Sequence, residues 1–387
     1  MRDPLLIVGG GAAGIAAAVA LARRGLPSLV FERSGSPLDI DRGDIIHAGS
    51  RVLLERWNAW EFLKKRDPKS FSRFRILDGD GRRLLGVEVE AALGGSRRLT
   101  ALRHPDIVLG LRDAAMAGGL VTMHLGEPVQ DLCSSGGRIV GVRTARGEYR
   151  SPLTVIATGT KSALRDAHFG PADIREYGTS FYNARVAALD AYEGCGYYVL
   201  DKEGVLVLVS LPRNELRIGI QFRTSDRNRR PTRASFADHA TRILRPLRNE
   251  TLTLIEGRTY RLRGLLADRW AIPGAVLLGD TAHSVHPTGG QGMNLAFQDA
   301  EALARCIEGQ HSLTALDEAC AKYAFERRSQ VRRVISRTNV GAVLAGFSHP
   351  APVLARRLAL QALDHAVPLK QALIRQLVDA PQGADKT

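Results

Sequence analysis

The chain has 387 residues, room for two to three structural units at about 150 residues each, and its 44% hydrophobic and 24% charged composition excludes a largely disordered or collagen-like protein. A net charge of +14 favours anionic partners such as phosphate-bearing cofactors, but there is no Lys/Arg block interleaved with aromatics and no zinc-finger, RRM or KH signature, so nucleic acid is not an expected partner. No apolar run reaches the roughly 18 to 20 residues that cross a bilayer, and the most apolar stretch, Leu5 to Ala22, is broken by four glycines and lacks a basic leader, so the expected compartment is the cytoplasm.

Leu5 to Val8 is a short apolar run entering a glycine cluster and reads as a buried strand. An alanine-rich helix follows from about Ala12 to Arg24, with Gly25 where a C-terminal cap belongs. Ser28 to Phe31 reads as a second buried strand, which completes a β-α-β unit of parallel type. Val52 to Lys65 reads as one helix. Phe74 to Leu77 and Leu84 to Val89 flank Asp78-Gly79-Asp80-Gly81 as an antiparallel hairpin, and Pro105 to Ala117 reads as a helix. Two strand-like stretches surround Gly136-Gly137, and Leu153 to Ile156 is another buried strand. From Thr179 to Arg223 the stretches Phe181–Leu189, Gly196–Leu200, Val205–Leu211 and Leu216–Phe222 predict an antiparallel sheet. Ala275 to Leu278 returns to a parallel-type strand, followed by a glycine-rich loop, a helix from about Met293, and a helical, basic remainder.

The expected fold class is therefore α/β. A discontinuous Rossmann-like domain (1–72, 99–178 and 267–340) carries an inserted antiparallel substrate sheet (73–98 and 179–266) and C-terminal helices (341–387). The four cysteines form no C-x-x-C pair, so reduced thiols and no metal site are expected.

Gly9-Gly10-Gly11-Ala12-Ala13-Gly14 satisfies G-x-G-x-x-G between a strand and a helix. Gly9 permits the tight turn, Gly11 lets backbone approach a pyrophosphate, and Gly14 lets the helix pack closely. The helix N-terminus, with Ala13 in its first turn, supplies free N–H groups for the phosphates. Glu32 ends the second strand where an acid binds ribose hydroxyls, which prefers FAD or NAD to NADP at this site. A second constellation runs Gly279-Asp280-Thr281-Ala282-His283, then Pro287-Thr288-Gly289-Gly290-Gln291-Gly292-Met293-Asn294, then Asp299-Ala300. An acid that can hold a polyol hydroxyl is followed by a bare backbone loop at a helix N-terminus, suited to negative charge on a reduced isoalloxazine.

The two motifs, in this order and separation, resemble the single-component FAD-dependent aromatic hydroxylases typified by p-hydroxybenzoate hydroxylase. The stretch Arg357-Leu358-Ala359-Leu360 through Ala366-Val367-Pro368-Leu369-Lys370 is similar to the ubiquinone-biosynthesis hydroxylase branch. The resemblance implies a monooxygenase that hydroxylates or epoxidises an electron-rich aromatic or quinone-like molecule through a flavin C4a-hydroperoxide, with NAD(P)H and O2 as co-substrates. It implies that Gly9, Gly11, Ala13 and Gly14 hold the FAD pyrophosphate, with Glu32 and Arg33 at the adenosine ribose. Arg42 would reach the cofactor and gate nicotinamide access, Arg103 would contact the ribityl chain, and Asp280 would take a ribityl hydroxyl. Pro287, Gly290, Gly292, Met293 and Asn294 would line the flavin edge. His47 would lie beside the isoalloxazine.

Strand alternation puts Arg217, Gly219 and Gln221 on one sheet face, and Arg217 resembles a family arginine facing flavin and substrate. Tyr182, Tyr197 and Tyr198 could orient an aromatic or pack. One departure stands out: Thr158 occupies the place of an acid that the family ties to both FAD and NAD(P)H binding. A prenyl reductase, a halogenase, or a non-catalytic flavin-binding protein are the alternatives. For the halogenase, Trp270-Ala271-Ile272-Pro273 lacks the first tryptophan of Trp-x-Trp-x-Ile-Pro. The expected assembly is a monomer or homodimer. The basic, leucine-rich tail is expected either to close over the two domains as a helix pair or to touch a membrane surface weakly.

Overall fold

The computed structural model describes residues 3–36, 45–94, 97–187, 194–201, 204–225, 231–236, 238, 240, 253–287, 289–346 and 349–378. Its centre is a six-stranded sheet in the order Ala271–Ile272, Ala275–Leu277, Thr154–Ile156, Leu5–Val8, Ser28–Glu32, Val121–Leu125. All pairings are parallel except that of the edge strand Ala271–Ile272. Both faces are covered, so Leu5–Val8 is buried at every position, as a short continuous apolar run requires. The helices Ala12–Ala22, His104–Met116 and Gln291–Ile307 pack together beside it, and their apolar residues join one large core.

The second large sheet has eight strands: His283–Ser284, Thr253–Ala267, Ala172–Ala187, Glu215–Arg223, Gly204–Leu211, Cys195–Asp201, Arg73–Asp78 and Arg83–Glu88. It is antiparallel except where Cys195–Asp201 runs parallel to Arg73–Asp78. Ala172 pairs with Ala267 beside the central sheet, and the same two strands run on to Ala187 and Thr253, so they span from one unit into the other. A three-stranded meander, Val129–Ser135, Arg138–Thr144 and Gly147–Arg150, and a small sheet of Ile45–Ile46, Leu99–Ala101 and Lys69–Phe71 complete the strands.

The helix expected over Val52–Lys65 is broken. Ala48–Arg56 ends at Asn58, whose φ of +58° is left-handed, and a short helix Trp60–Leu63 follows. The Ala59 N–H closes the turn on the Leu54 carbonyl (2.8 Å), and the bend turns both Trp57 and Trp60 inward. The strand Thr253–Ala267 was not foreseen. Arg258, Arg261 and Arg263 interrupt its apolar pattern, because much of the strand is only half covered.

Deep in the core, Asp299 is fully buried with His283 and Arg327. It accepts from His283 Nε2 (2.6 Å), Arg327 Nε (2.7 Å) and the Gly279 N–H (3.3 Å). Burial pushes its carboxyl up, but the His283 and Arg327 charges and hydrogen bonds outweigh that and hold it below the usual carboxylate range. Asp299→Ala would leave the Arg327 guanidinium buried without its counter-ion. The expected loss is about 3 to 5 kcal/mol of unfolding free energy, measured by chemical denaturation. A loss below about 1 kcal/mol, the range of an exposed pair, would show that the network does not hold the core.

Candidate active site

Gly9 ends the first strand with φ +110°, and a Cβ there would sit 2.3 Å from the Ala157 carbonyl oxygen. A Cβ at Gly14 would sit 1.9 Å from the Gly9 carbonyl oxygen. Both positions are closed by backbone, so these glycines set the turn and seat the helix on it. Gly11 is different: nothing lies within 4 Å of where its Cβ would be. It N-caps the helix Ala12–Ala22 with no side-chain cap, so the first-turn N–H groups, Ala13 included, face open space. The cradle fits a pyrophosphate. At its rim Glu32 accepts the Gly10 N–H (2.7 Å) and the Ser34 N–H (2.9 Å), which fixes the carboxylate at the strand end. Arg33 is exposed beside it, and Arg42 lies outside the described residues.

The second loop starts at Gly279, φ +64°, where a Cβ would lie 2.7 Å from Ala13 Cβ and 3.3 Å from Ala296 Cβ. This close approach brings the two helix N-termini together. Asp280 is half-buried, and its Oδ1 lies 3.8 Å from the Cβ position of Gly292 in the first turn of Gln291–Ile307. That helix is capped by Gly290, φ +63°, again without a side-chain cap, and the Gly290 N–H closes a turn on the Pro287 carbonyl (2.9 Å). Met293 and Gly292 are half-buried at the helix start. Asn294 is fully buried. Its amide donates to the carbonyls of Ile45 (3.0 Å) and Gly290 (2.8 Å), and its oxygen accepts the His47 N–H (2.8 Å). These bonds commit the side chain to clamping the Ile45–His47 segment against the loop.

His47 is buried and hydrogen-bonded to the Gly289 backbone. Burial pushes its pKa down to about 4, with the Gly289 bond opposing, so the ring is neutral at pH 7. From the other unit, the Tyr198 hydroxyl accepts the Gly289 N–H (2.9 Å). Burial pushes the Tyr198 phenol up, again with Gly289 opposing. Gly289 is thus held from both sides at the seam between the Rossmann unit and the large sheet.

The sheet register pairs Phe181 with Gln221, Asn183 with Gly219 and Arg185 with Arg217, and Val207 with both Gly219 and Tyr198. Arg217, Gly219 and Gln221 therefore share the face from which Tyr198 reaches the loop. A Cβ at Gly219 would collide with the Phe181 ring at 2.0 Å, so the glycine is what lets that ring lie across the face. The opposite face carries Leu216, Ile218, Ile220 and Phe222 with Tyr182 and Tyr197, packed as apolar core around Phe236. Of the three tyrosines considered, Tyr198 alone reaches the loop; Tyr182 and Tyr197 belong to the far face. Arg217 lies directly opposite Arg185, whose charge is met by Glu215 (3.1 Å) and Glu256 (3.0 Å). Arg103, the N-cap of His104–Met116, has its Nε 4.0 Å from Glu215, which draws it toward the sheet.

Sequence reasoning missed the grip on Gly289 and the role of Asp299. The signal for Asp299 was available, as an acid in the apolar face of a helix. Thr158 is exposed and donates to Ser162 Oγ (2.6 Å), the N-cap of the short helix Ala163–His168. Lys161 is exposed. Among the described residues no cluster of His, Cys, Asp and Glu could hold a metal, and no helix is long and apolar enough to cross a membrane.

An open backbone cradle, a carboxylate at the strand end and a second uncapped helix start beside a large antiparallel sheet are the parts of a dinucleotide-binding site. Residues 3–338 match the FAD binding domain family, and the chain belongs to it. It is similar to 3-demethoxyubiquinol 3-hydroxylase of Escherichia coli K12, 25% identical over 397 residues that cover 96% of this chain and 97% of the relative. Among solved structures, p-nitrophenol 4-monooxygenase PnpA from Pseudomonas putida DLL-E4 superposes with a TM-score of 0.85 at 18% identity, covering 98% of this chain and 99% of that one. Klebsiella pneumoniae HpxO, complexed with FAD and uric acid, superposes with a TM-score of 0.82 at 16% identity, covering 99% and 98%. The chain is an FAD-dependent monooxygenase of the p-hydroxybenzoate hydroxylase-like fold.

Two consequences can be measured. Gly11→Val should cost the fold no more than about 1 kcal/mol yet abolish FAD retention on purification. Gly14→Val should instead destabilise the whole chain. Full flavin content in the Gly11 variant would remove the cradle from the cofactor site. The second concerns His47, whose folded pKa of about 4 lies below the ordinary 6.5. Above pH 6.5 its contribution to stability is fully present. As pH falls from 6.5 toward 4 the unfolded chain takes up the proton first, and stability drops by roughly 3 kcal/mol. His47→Asn should flatten that part of the stability–pH curve; an unchanged slope would show that other groups produce it.

Proposed function

We propose that this enzyme hydroxylates or epoxidises an electron-rich aromatic or quinone-like small molecule, with NADH or NADPH as electron donor and O2 as oxygen donor. One oxygen atom enters the substrate and the other leaves as water; the nicotinamide hydride and a proton balance the reaction. The observation that supports this reading is the seam at Gly289, where His47 of the Rossmann unit and Tyr198 of the substrate-facing sheet meet at the loop expected to carry the flavin edge. Bound FAD supplies the redox chemistry that activates O2.

In this proposal Gly9, Gly11, Ala13, Gly14, Glu32 and Arg33 bind the adenosine diphosphate end, Arg103 and Asp280 bind the ribityl chain, and Arg42 reaches the cofactor and gates nicotinamide access. Gly290, Gly292 and Met293 present backbone to the isoalloxazine, and Asn294 holds that backbone in place. His47 and Pro287 line the reacting edge, and Arg217 acts from the substrate side. The neutral His47 ring and the protonated Tyr198 hydroxyl can hold or move a proton beside the substrate without placing a fixed charge there. Phe74, Val207 and Val209 on the same sheet face form part of an apolar cluster with Phe71 of the small sheet, which favours exclusion of water from the reaction. The enzyme is proposed to work in the cytoplasm, as a monomer or homodimer.

Support for this function comes from the family and from relatives named for hydroxylation. It is tested by aerobic NADH and NADPH oxidation with phenolic and quinone-like compounds, with product analysis under isotopically labelled O2. Label in an oxidised product is the expected result; nicotinamide oxidation that yields only peroxide with every compound would count against it. Thr158 gives a sharper measurement. Anaerobic stopped-flow reduction of the wild-type flavin should be rapid when substrate is present, and Thr158→Asp should change the rate by less than about threefold. Wild-type flavin that NAD(P)H cannot reduce until the acid is restored would overturn the direct nicotinamide step.

A further inference from the structure

Helix Pro350–His365 turns apolar side chains to solvent. Its outward positions are Ala351, Leu354, Ala355, Leu358, Ala359 and Ala362, a single helix face, with Leu354 56% and Leu358 58% exposed. Its charged residues turn inward. Arg356 is buried and donates to the last carbonyls of helix Leu313–Ala345, those of Leu344 (2.9 Å) and Ala345 (3.0 Å). Asp364 accepts the Gly86 N–H (3.0 Å) and Lys370 Nζ (2.9 Å) and pairs with Arg83 (3.1 Å). A surface helix of a globular protein normally buries its apolar stripe and exposes its charges.

The apolar surface continues onto both neighbouring helices. Val340, Val343 and Leu344 are exposed at the end of Leu313–Ala345, and Val367, Leu369 and Leu373 on Val367–Val378. Exposed apolar side chains gathered on three helices that touch one another mark an interaction surface.

Charge identifies what it fits. From Val331 to Val378 the sequence holds six arginines and Lys370 against a single carboxylate, Asp364. That carboxylate is already engaged by Gly86, Lys370 and Arg83, whereas Arg332, Arg333, Arg337 and Arg375 are exposed. Two copies of so cationic a face repel, whereas an anionic bilayer offers an apolar boundary for the leucines and phosphates for the arginines.

We propose that these three helices form a peripheral docking face for an anionic lipid bilayer. The contact lies on the surface, since no described helix can span a membrane. Helix Pro350–His365 packs against Arg83–Glu88, the edge strand of the large sheet, so docking sets the substrate-facing sheet next to the lipid. The proposal stands apart from the reaction assigned above, because it uses none of the residues placed at the cofactor.

The test is flotation of the full-length, FAD-loaded protein with vesicles of phosphatidylcholine alone and of phosphatidylcholine with phosphatidylglycerol. Binding to the anionic vesicles at low salt is expected, at least about tenfold weaker at high salt or on the neutral vesicles. The pair Leu354→Glu and Leu358→Glu should abolish it while the flavin spectrum and NAD(P)H oxidation stay unchanged. Should that variant fail to fold, Arg332→Gln with Arg375→Gln should still weaken binding about tenfold. No binding to anionic vesicles at low salt would overturn the proposal. So would binding unaffected by these substitutions, or a leucine variant that changes only from dimer to monomer in sedimentation velocity while the wild type ignores vesicles.

Discussion

The buried carboxylate of Asp299 ties together the unit built on the six-stranded sheet. It sits on helix Gln291–Ile307, accepts the Gly279 N–H at the end of a central strand, and is bonded to Arg327 of helix Leu313–Ala345 and to His283 of the short strand His283–Ser284. Its position decides where Gly279 lies, and Gly279 lies against Ala13 of the other helix. Two helix N-termini, remote in sequence, are thereby brought to one place. An extended dinucleotide needs positive potential at more than one point along its length, and two uncapped helix starts supply it. Removing a buried ion from water is expensive, so a carboxylate at this depth is tolerable only because three donors surround it.

The remainder of the site depends on how the large sheet meets the Rossmann unit. The sheet's two faces are chemically opposite. One is apolar core, Leu216, Ile218, Ile220 and Phe222; the other carries Arg185, Arg217, Asn183 and Gln221 among valines. On that second face Arg185 is met by Glu215 and Glu256, and Glu215 also lies near Arg103, the N-cap of His104–Met116. The seam is thus closed by a network of ion pairs at one end and by the Gly289 contacts in the middle. Asn294 adds backbone hydrogen bonds that keep Ile45–His47 in register with the loop.

Much of this was legible in the sequence where the constraint is local. Gly9, Gly11 and Gly14, placed between an apolar run and an alanine-rich helix, mark a strand-turn-helix, and Pro287 to Asn294 is one continuous loop and helix start. The two-residue alternation of Leu216 to Phe222 separates the sheet faces, because the pleat allows no other arrangement. What escaped depends on partners far along the chain. Alternation places Tyr197 and Tyr198 on opposite faces, but which face meets the flavin loop is set by pairing with Gly204–Leu211 and Arg73–Asp78. The break at Asn58 is invisible to periodicity, since the apolar spacing continues through it and only the left-handed turn ends the helix. Arg103 meets Glu215 across a separation that no motif encodes.

The Gly289 amide has a consequence for how cofactor and substrate sides communicate. A backbone N–H makes one strong hydrogen bond at a time, and this one is committed to Tyr198, a side chain of the substrate-facing sheet. A molecule on that sheet face that donates to the Tyr198 oxygen would share the acceptor with the Gly289 N–H. Any coupling carried through this hydrogen bond would be reciprocal, as thermodynamic linkage requires. The loop is in this respect a balance point between two ligands that need not touch.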